Sequence, residues 1–231
     1  MDASAIFNWV GFLCYFALAG VALWGAYFVV LVLSRINTLR FKSEDLQDNF
    51  LDSIEPALRS GDFEAVEAAC AGNKRALPMM IHMGCLNRKM GFAKMQQYVL
   101  DRFQRDVLGD LDVKIAWVVT VIKTAPMLGL FGTVVGMMGA FGKLAGAKNV
   151  NPTDLAGDIR VALETTAIGL SIAIPLVMCM ASITNRVRVL QDLVGAGLNR
   201  FFDAFREGLG KSTRNPSTRS PSAPVVVEQD S

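Results

Sequence analysis

Histidine appears once in the 231 residues, at His82, and none of the four cysteines stands in a paired spacing. Cys14 and Cys179 fall within apolar runs, Cys70 and Cys85 within a polar stretch, and no CxxC exists. That pattern reads as small buried hydrophobes rather than a disulfide or metal framework. There is no Ser–His–Asp arrangement, HExxH, P-loop or dinucleotide fingerprint. The glycines from Gly129 to Gly142 follow no strand and so make no phosphate loop. The chain reads as a non-enzyme that needs no metal and no cofactor. A net charge of +2 offers no field for nucleic acid.

The most telling absence is local. Between Ala3 and Ser34 no residue is charged, a window longer than the ~20 residues that span a bilayer. Ile115–Phe141 is interrupted only by Lys123, and Thr165–Thr184 carries no charge. Three transmembrane helices follow, in an all-α membrane protein. The first basic residue, Arg35, comes after the first apolar run, so that run is expected to be an uncleaved span rather than a secretory signal. About twelve basic residues lie in Arg35–Lys114 and about seven after Thr184, whereas Gly142–Asp158 holds only Lys143 and Lys148. The imbalance places the N-terminus and the short hairpin outside (periplasmic), and the long loop and C-terminus inside.

The rest of the chain divides by pattern. Residues 1–41 hold the first span and 42–91 a soluble helical loop, with Leu46, Phe50, Leu51 and Ile54, then Phe63, Val66 and Ala69, at helical spacing. Ser60-Gly61-Asp62, Gly72-Asn73 and Pro78 punctuate it. From 92 to 143 a single long helix is expected, with Met95, Val99, Phe103, Val107 and Leu111 leading into the second span. Residues 144–158 form the hairpin. The third span and its extension run over 159–208, continued by Val187, Leu190, Leu193, Val194, Leu198, Phe201, Phe202 and Phe205. The second and third membrane helices are thus expected to extend as a cytoplasmic helical stalk. The Ser-, Pro- and Thr-rich segment 209–231 reads as a disordered tail.

The hairpin turns through Asn149-Val150-Asn151-Pro152. Folding about residue 149 or 150 leaves Thr133 and Thr166 equally far from its apex, and so at the same depth on antiparallel helices. Gly129, Gly132, Gly136 and Gly139 share a stripe about 80° wide, with Thr133 and Pro126 along its edge. Ala162, Thr166, Gly169 and Ala173 share another. Small residues let membrane helices approach closely. The threonines either bond back to their own helices and fill space, or line a narrow polar path.

Pro126 and Pro175 lie inside spans, where each frees a carbonyl, as a kink or as an ion ligand. Lys123 lies roughly 15 Å below Thr133, where it snorkels to the inner interface or faces a water-filled path. Arg160 and Glu164 are four apart on one helix and can pair. Glu164 points about 120–160° away from Thr166, so it pairs with Arg160 or a neighbouring subunit, or else titrates as an intramembrane acid.

Ala125-Pro126-Met127-Leu128-Gly129-Leu130-Phe131-Gly132-Thr133-Val134-Val135-Gly136-Met137 resembles the second-span signature of the ExbB/TolQ/MotA proton-channel family. Thr165-Thr166-Ala167-Ile168-Gly169-Leu170-Ser171-Ile172-Ala173-Ile174-Pro175 resembles its third-span signature, and Leu58-Arg59-Ser60-Gly61-Asp62 its cytoplasmic loop. Three spans rather than four favour the ExbB-like, biopolymer-transport branch. The resemblance implies a homo-oligomer, pentameric in the family, in a bacterial inner membrane. Its pore would hold the single spans of an ExbD- or TolR-like partner. Proton entry would titrate an aspartate of that partner and drive a TonB- or TolA-like energy transducer. Protons would be the coupling ion, and Thr133 and Thr166 would match the pore-lining threonines. The chain departs from the pattern at Val161, where many relatives carry glutamate, at Lys123, where small residues are usual, and at Met180-Ala181. A reading from another class is a non-conducting membrane scaffold that organises cytoplasmic partners. A secondary transporter is disfavoured by the lack of an inverted repeat.

Overall fold

The computed structural model describes residues 3–41, 43–146 and 152–214. The apex of the hairpin through Asn151 and the tail from Asn215 lie outside the described residues. The described chain contains helices only: α1 (Ala3–Leu39), α2 (Glu44–Ser60), α3 (Phe63–Cys70), α4 (Ala76–Leu86), α5 (Phe92–Arg102), α6 (Gly109–Gly146) and α7 (Pro152–Arg214). A short 3₁₀ turn covers Arg88–Met90, and a π-helical segment, Phe103–Leu108, joins α5 to α6. Three helices are long and apolar enough to cross a membrane. They contain the three charge-poor windows of the sequence.

The chain divides into two units. The first holds residues 1–40 and 102–192. In it α1 packs on α6 through Cys14, Leu18, Val29, Val32 and Ile36, all buried. A Cβ on Gly25 would stand 2.8 Å from a methyl of Val121 and 3.0 Å from one of Leu176, so this glycine sets how closely α1 approaches. Below the spans, the Arg35 guanidinium reaches Asp110 at 3.2 Å, and Asp110 also binds Lys114 one turn on. Lys114 first, then Arg35, hold the Asp110 carboxyl below its ordinary range. The outward faces are bulky and apolar: Trp9, Phe12, Leu13, Phe16 and Leu23 on α1, and Met127, Leu130, Phe131, Val134 and Met138 on α6. Exposure of that kind suits lipid or other membrane helices and would be unstable in water.

The second unit holds residues 41–101 and 193–231. Glu44 and Asp45 in the first turn of α2 and Arg59 in its last complement the helix dipole. Gly61 ends the helix in the left-handed region at φ 84°, and Asp62 then caps α3 by accepting from the Ala65 N–H at 3.1 Å. The buried face of α2 is Gln47, Leu51, Ile54 and Leu58, while Leu46 is 47% exposed. Gln47 is buried because its amide donates to the Leu193 carbonyl at 2.7 Å. Pro78 falls in the first turn of α4, where a missing N–H costs no helical bond. Phe201, Phe202 and Phe205 on α7 close this core, with the Phe63 ring 4.8 Å from that of Phe205. Arg200 binds Asp52 and Glu55, while Arg59 binds Glu55 at 2.8 Å and Glu207 at 2.9 Å. Arg200 above all holds the Glu55 carboxyl below its ordinary range, and Asp52 and Glu55 raise the Arg200 guanidinium.

Helix α7 continues through Arg214, past the point where the sequence suggests a tail. The stretch from 209 to 214 holds no proline, so nothing in it forbids the α conformation.

Candidate functional site

The site is a seam between α6 and α7 in the first unit, built where side chains are smallest. A Cβ on Gly129 would lie 2.8 Å from the Thr165 carbonyl oxygen, one on Gly132 2.7 Å from Thr165 Oγ1, and one on Gly136 2.7 Å from Ala162 Cβ. From the other helix, a Cβ on Gly169 would lie 2.6 Å from the Ala125 carbonyl oxygen. Backbone meets backbone along this seam. In lipid, dispersion and hydrogen bonds must hold such a pair together, since no hydrophobic effect does so.

That closeness brings three hydroxyls into one cluster. Thr133 Oγ1 and Thr166 Oγ1 are hydrogen-bonded to each other across the seam. Thr133 Oγ1 also lies 3.1 Å from the Ala162 carbonyl and 3.3 Å from that of Gly129. Thr165 Oγ1 lies 2.7 Å from the Ala162 carbonyl and 3.1 Å from the Gly129 carbonyl. The same two carbonyls therefore serve two hydroxyls, each of which has one proton to give and two lone pairs to receive. The single proton of Thr133 must choose among three oxygens. Of these bonds only the Thr133–Thr166 contact can reverse direction by hydroxyl rotation, because a carbonyl can only accept. The cluster contains no ionisable side chain, so it can relay a proton but not store one.

Thr133 and Thr166 are half-buried, and Thr165 is buried. The buried stripe of α7 is thus Ala162, Thr165, Gly169 and Ala173, with Thr166 at its edge. Thr165 is the residue the sequence left unassigned. Its signal was the spacing to Ala162 and Gly169, which puts it on the seam. Pro126 and Pro175 lie inside α6 and α7, each within an unbroken helix. Lys123 is exposed and makes no ion pair among the described residues.

Glu164 stands apart from the threonines. It is exposed, and its carboxylate lies near the Tyr15 hydroxyl of α1. Arg160 is exposed and does not pair with it; among the described residues Arg160 makes no ion pair. The i, i+4 spacing permits a pair but does not enforce one, and the group near the Glu164 carboxylate is Tyr15, on another helix. A cavity of about 310 Å³ between α1, α6 and α7 reaches Thr165 from behind, past Cys14, Tyr15 and Val135. Lys143 and Asp158, 2.7 Å apart, also line it.

No group of three or more His, Cys, Asp or Glu side chains able to hold a metal occurs among the described residues. In the second unit the buried thiols of Cys70 and Cys85 are free, pushed up by burial to about 11 and about 12.

Residues 94–194, which contain the whole seam, match the MotA/TolQ/ExbB proton channel family. The chain is 38% identical over 103 residues to the Tol-Pal system protein TolQ of Haemophilus influenzae, covering 44% of this chain and 45% of that protein. It is 39% identical over 96 residues to the Pseudomonas aeruginosa Tol-Pal system protein TolQ, covering 42% and 40%. With the biopolymer transport protein ExbB of Xanthomonas campestris it shares 37% identity over 86 residues, covering 36% and 34%. The chain spans less than half the length of each of these relatives. The family is one of channels, and with three helices long and apolar enough to cross a membrane the chain is a multi-pass membrane protein. The two span motifs, the close seam they build and the matched region agree: residues 94–194 are a domain of the MotA/TolQ/ExbB proton channel family.

Proposed function

We propose that this chain is a ring-forming subunit of an inner-membrane motor driven by the proton-motive force, with its N-terminus periplasmic and its C-terminus cytoplasmic. The observation that carries the reading is the Thr133–Thr166 contact, in a hydroxyl cluster that holds no ionisable side chain. Thr133 and Thr165 share two carbonyls, Thr166 bonds to Thr133, and together the three hydroxyls form a polar path through an otherwise apolar wall. A path that relays but does not store protons needs a titrating carboxylate from elsewhere. An ExbD- or TolR-like single-span partner supplies it on this reading, in a pentameric ring of this chain. Protonation of that carboxylate moves ring against partner, and a TonB- or TolA-like transducer receives the work. The excess of basic residues in the loop and C-terminal segments supports the orientation.

The test begins with native mass spectrometry of the detergent-extracted protein co-expressed with an ExbD- or TolR-like single-span protein, if one is encoded beside it. A pentamer carrying two partner copies is the expected result. A monomer or dimer, under conditions that keep a control complex intact, overturns the ring. Proton entry into vesicles containing the complex is then followed with a pH-sensitive dye. The double variant T133A/T166A should assemble and lose proton entry. Unchanged flux would remove the threonines from the path, whereas no proton entry with the wild-type complex would leave the non-conducting scaffold reading in its place.

A further inference from the structure

The three membrane helices of the first unit close on each other at one end only. A Cβ on Gly25 would stand 2.8 Å from a Val121 methyl, whereas one on Gly11, two turns before Leu18, would meet nothing within 4 Å. Helix α1 therefore parts from the α6–α7 pair towards the hairpin end, and the gap is the cavity of about 310 Å³ that Gly11 lines. Thr165 and Gly132 form its deep end, Lys143 and Asp158 its mouth. Asp158 precedes Thr165 by seven residues and Lys143 follows Gly132 by eleven. At the helical rise the cavity runs roughly 10–16 Å along the spans.

Between these ends the walls include Phe12, Cys14, Val135 and Val161, all apolar. Phe12 and Val161 are also exposed, so the wall continues onto the outer surface of α1 and α7. At the deep end Thr165 Oγ1 already has the Ala162 and Gly129 carbonyls within reach and asks nothing of an occupant. The Tyr15 hydroxyl lies near the Glu164 carboxylate. An apolar gap stays dry, and left empty its lining forfeits contacts on one side. In a bilayer the medium at hand to fill it is an acyl chain. A volume of this size, with apolar walls and a few polar groups at its mouth, is that of a small-molecule site.

The mouth says which headgroup. The Lys143 ammonium and the Asp158 carboxylate lie 2.7 Å apart and are 51% and 30% exposed, so each has hydrogen-bonding capacity left for a third group. A phosphate matches Lys143, but a purely anionic headgroup would also stand against Asp158 with nothing to offset it. A headgroup with both a phosphate and a primary ammonium matches both side chains. Unlike a quaternary ammonium, it has N–H groups to donate.

We propose that this cavity binds one acyl chain of a phospholipid with an ethanolamine headgroup, its phosphate on Lys143 and its ammonium on Asp158. The chain completes the packing between α1 and the seam. The site needs neither a ring nor a proton path, so it stands or falls separately from the motor reading.

Native mass spectrometry of the full chain tests it, after purification in detergent with equal amounts of phosphatidylethanolamine, phosphatidylcholine and phosphatidylglycerol of matched chain length. The wild type should retain the ethanolamine lipid several-fold over the other two. V135F and G11L fill the cavity from opposite walls and should lose that lipid, whereas V134F, on the exposed face of α6, should keep it. D158N should shift retention towards phosphatidylglycerol. Equal retention of the three lipids by the wild type, or a preference for phosphatidylglycerol, overturns the proposal. So does undiminished retention in a filled variant whose melting by circular dichroism shows it to be folded. Should both filled variants fail to fold, D158N decides through its surface position: an unchanged lipid preference there overturns the assignment.

Discussion

At the residue scale, the glycines divide by what a methyl group would meet. On Gly208 a Cβ would fall 2.0 Å from the Leu58 carbonyl oxygen, a backbone atom with no rotamer to escape through. On Gly197 it would meet the tip of Leu77 at 2.6 Å, and on Gly195 nothing within 4 Å. G208A should therefore destabilise the second unit by about 1–3 kcal/mol through overpacking. G195A should stabilise the helix by up to about 1 kcal/mol through propensity. Thermal unfolding followed by circular dichroism ranks the variants, and equal midpoints for G195A and G208A would contradict the close approach. The buried thiols give a second expectation. Since burial raises Cys70 to about 11 and Cys85 to about 12, neither forms thiolate at neutral pH. Iodoacetamide should label both only after denaturation, as read by peptide mass. Fast labelling of Cys85 in the folded protein would contradict its burial.

At the element scale, the spans were legible because absent charge is a strong signal over a long window. The juxtaposition of Thr133 and Thr166 was legible too, because equal distance from a turn fixes depth on antiparallel helices. What escaped was phase. Met95, Val99, Phe103, Val107 and Leu111 are spaced by four, and on an ideal α-helix that row drifts about 40° per step. All five are nevertheless buried. The π-helical segment Phe103–Leu108, in which the Gly109 N–H bonds to the Gln104 carbonyl, takes one extra residue into a turn and cancels much of that drift. An uninterrupted run of fours was thus a sign of a π turn. Glu164 escaped for a different reason: a helical wheel ranks partners on its own helix and cannot see Tyr15 on α1. Deleting the exposed Arg105 should restore a regular α turn and leave the helices on either side in phase. Deleting Ile122 should rotate everything beyond it by about 100° and break the glycine seam. Protease resistance of the detergent-solubilised protein separates the two. Equal loss of fold in both deletions would rule out the π turn as the phase corrector.

At the scale of the whole molecule, the two units answer to different carboxylates, and acid can address them separately. In the second unit Glu55 is held below its ordinary value of 4.5 by Arg200 first and Arg59 next. A carboxyl depressed by folding contributes stability that is complete above its unfolded pKa. That contribution is lost as the pH falls from 4.5 through the folded value, because the unfolded chain then binds the proton more readily. In the first unit Asp110 plays the same part with Lys114 and Arg35. Arg200→Gln removes the larger restraint on Glu55 and nothing from Asp110. Hydrogen exchange read peptide by peptide between pH 7 and 3 should show two things. In the variant, peptides from α2 and α3 exchange faster at neutral pH and change less on acidification than in the wild type. Peptides from the start of α6 follow the wild-type profile. A wild-type acid response in α2 would mean that Arg200 does not govern Glu55. An altered response around Asp110 would mean that the two units unfold as one.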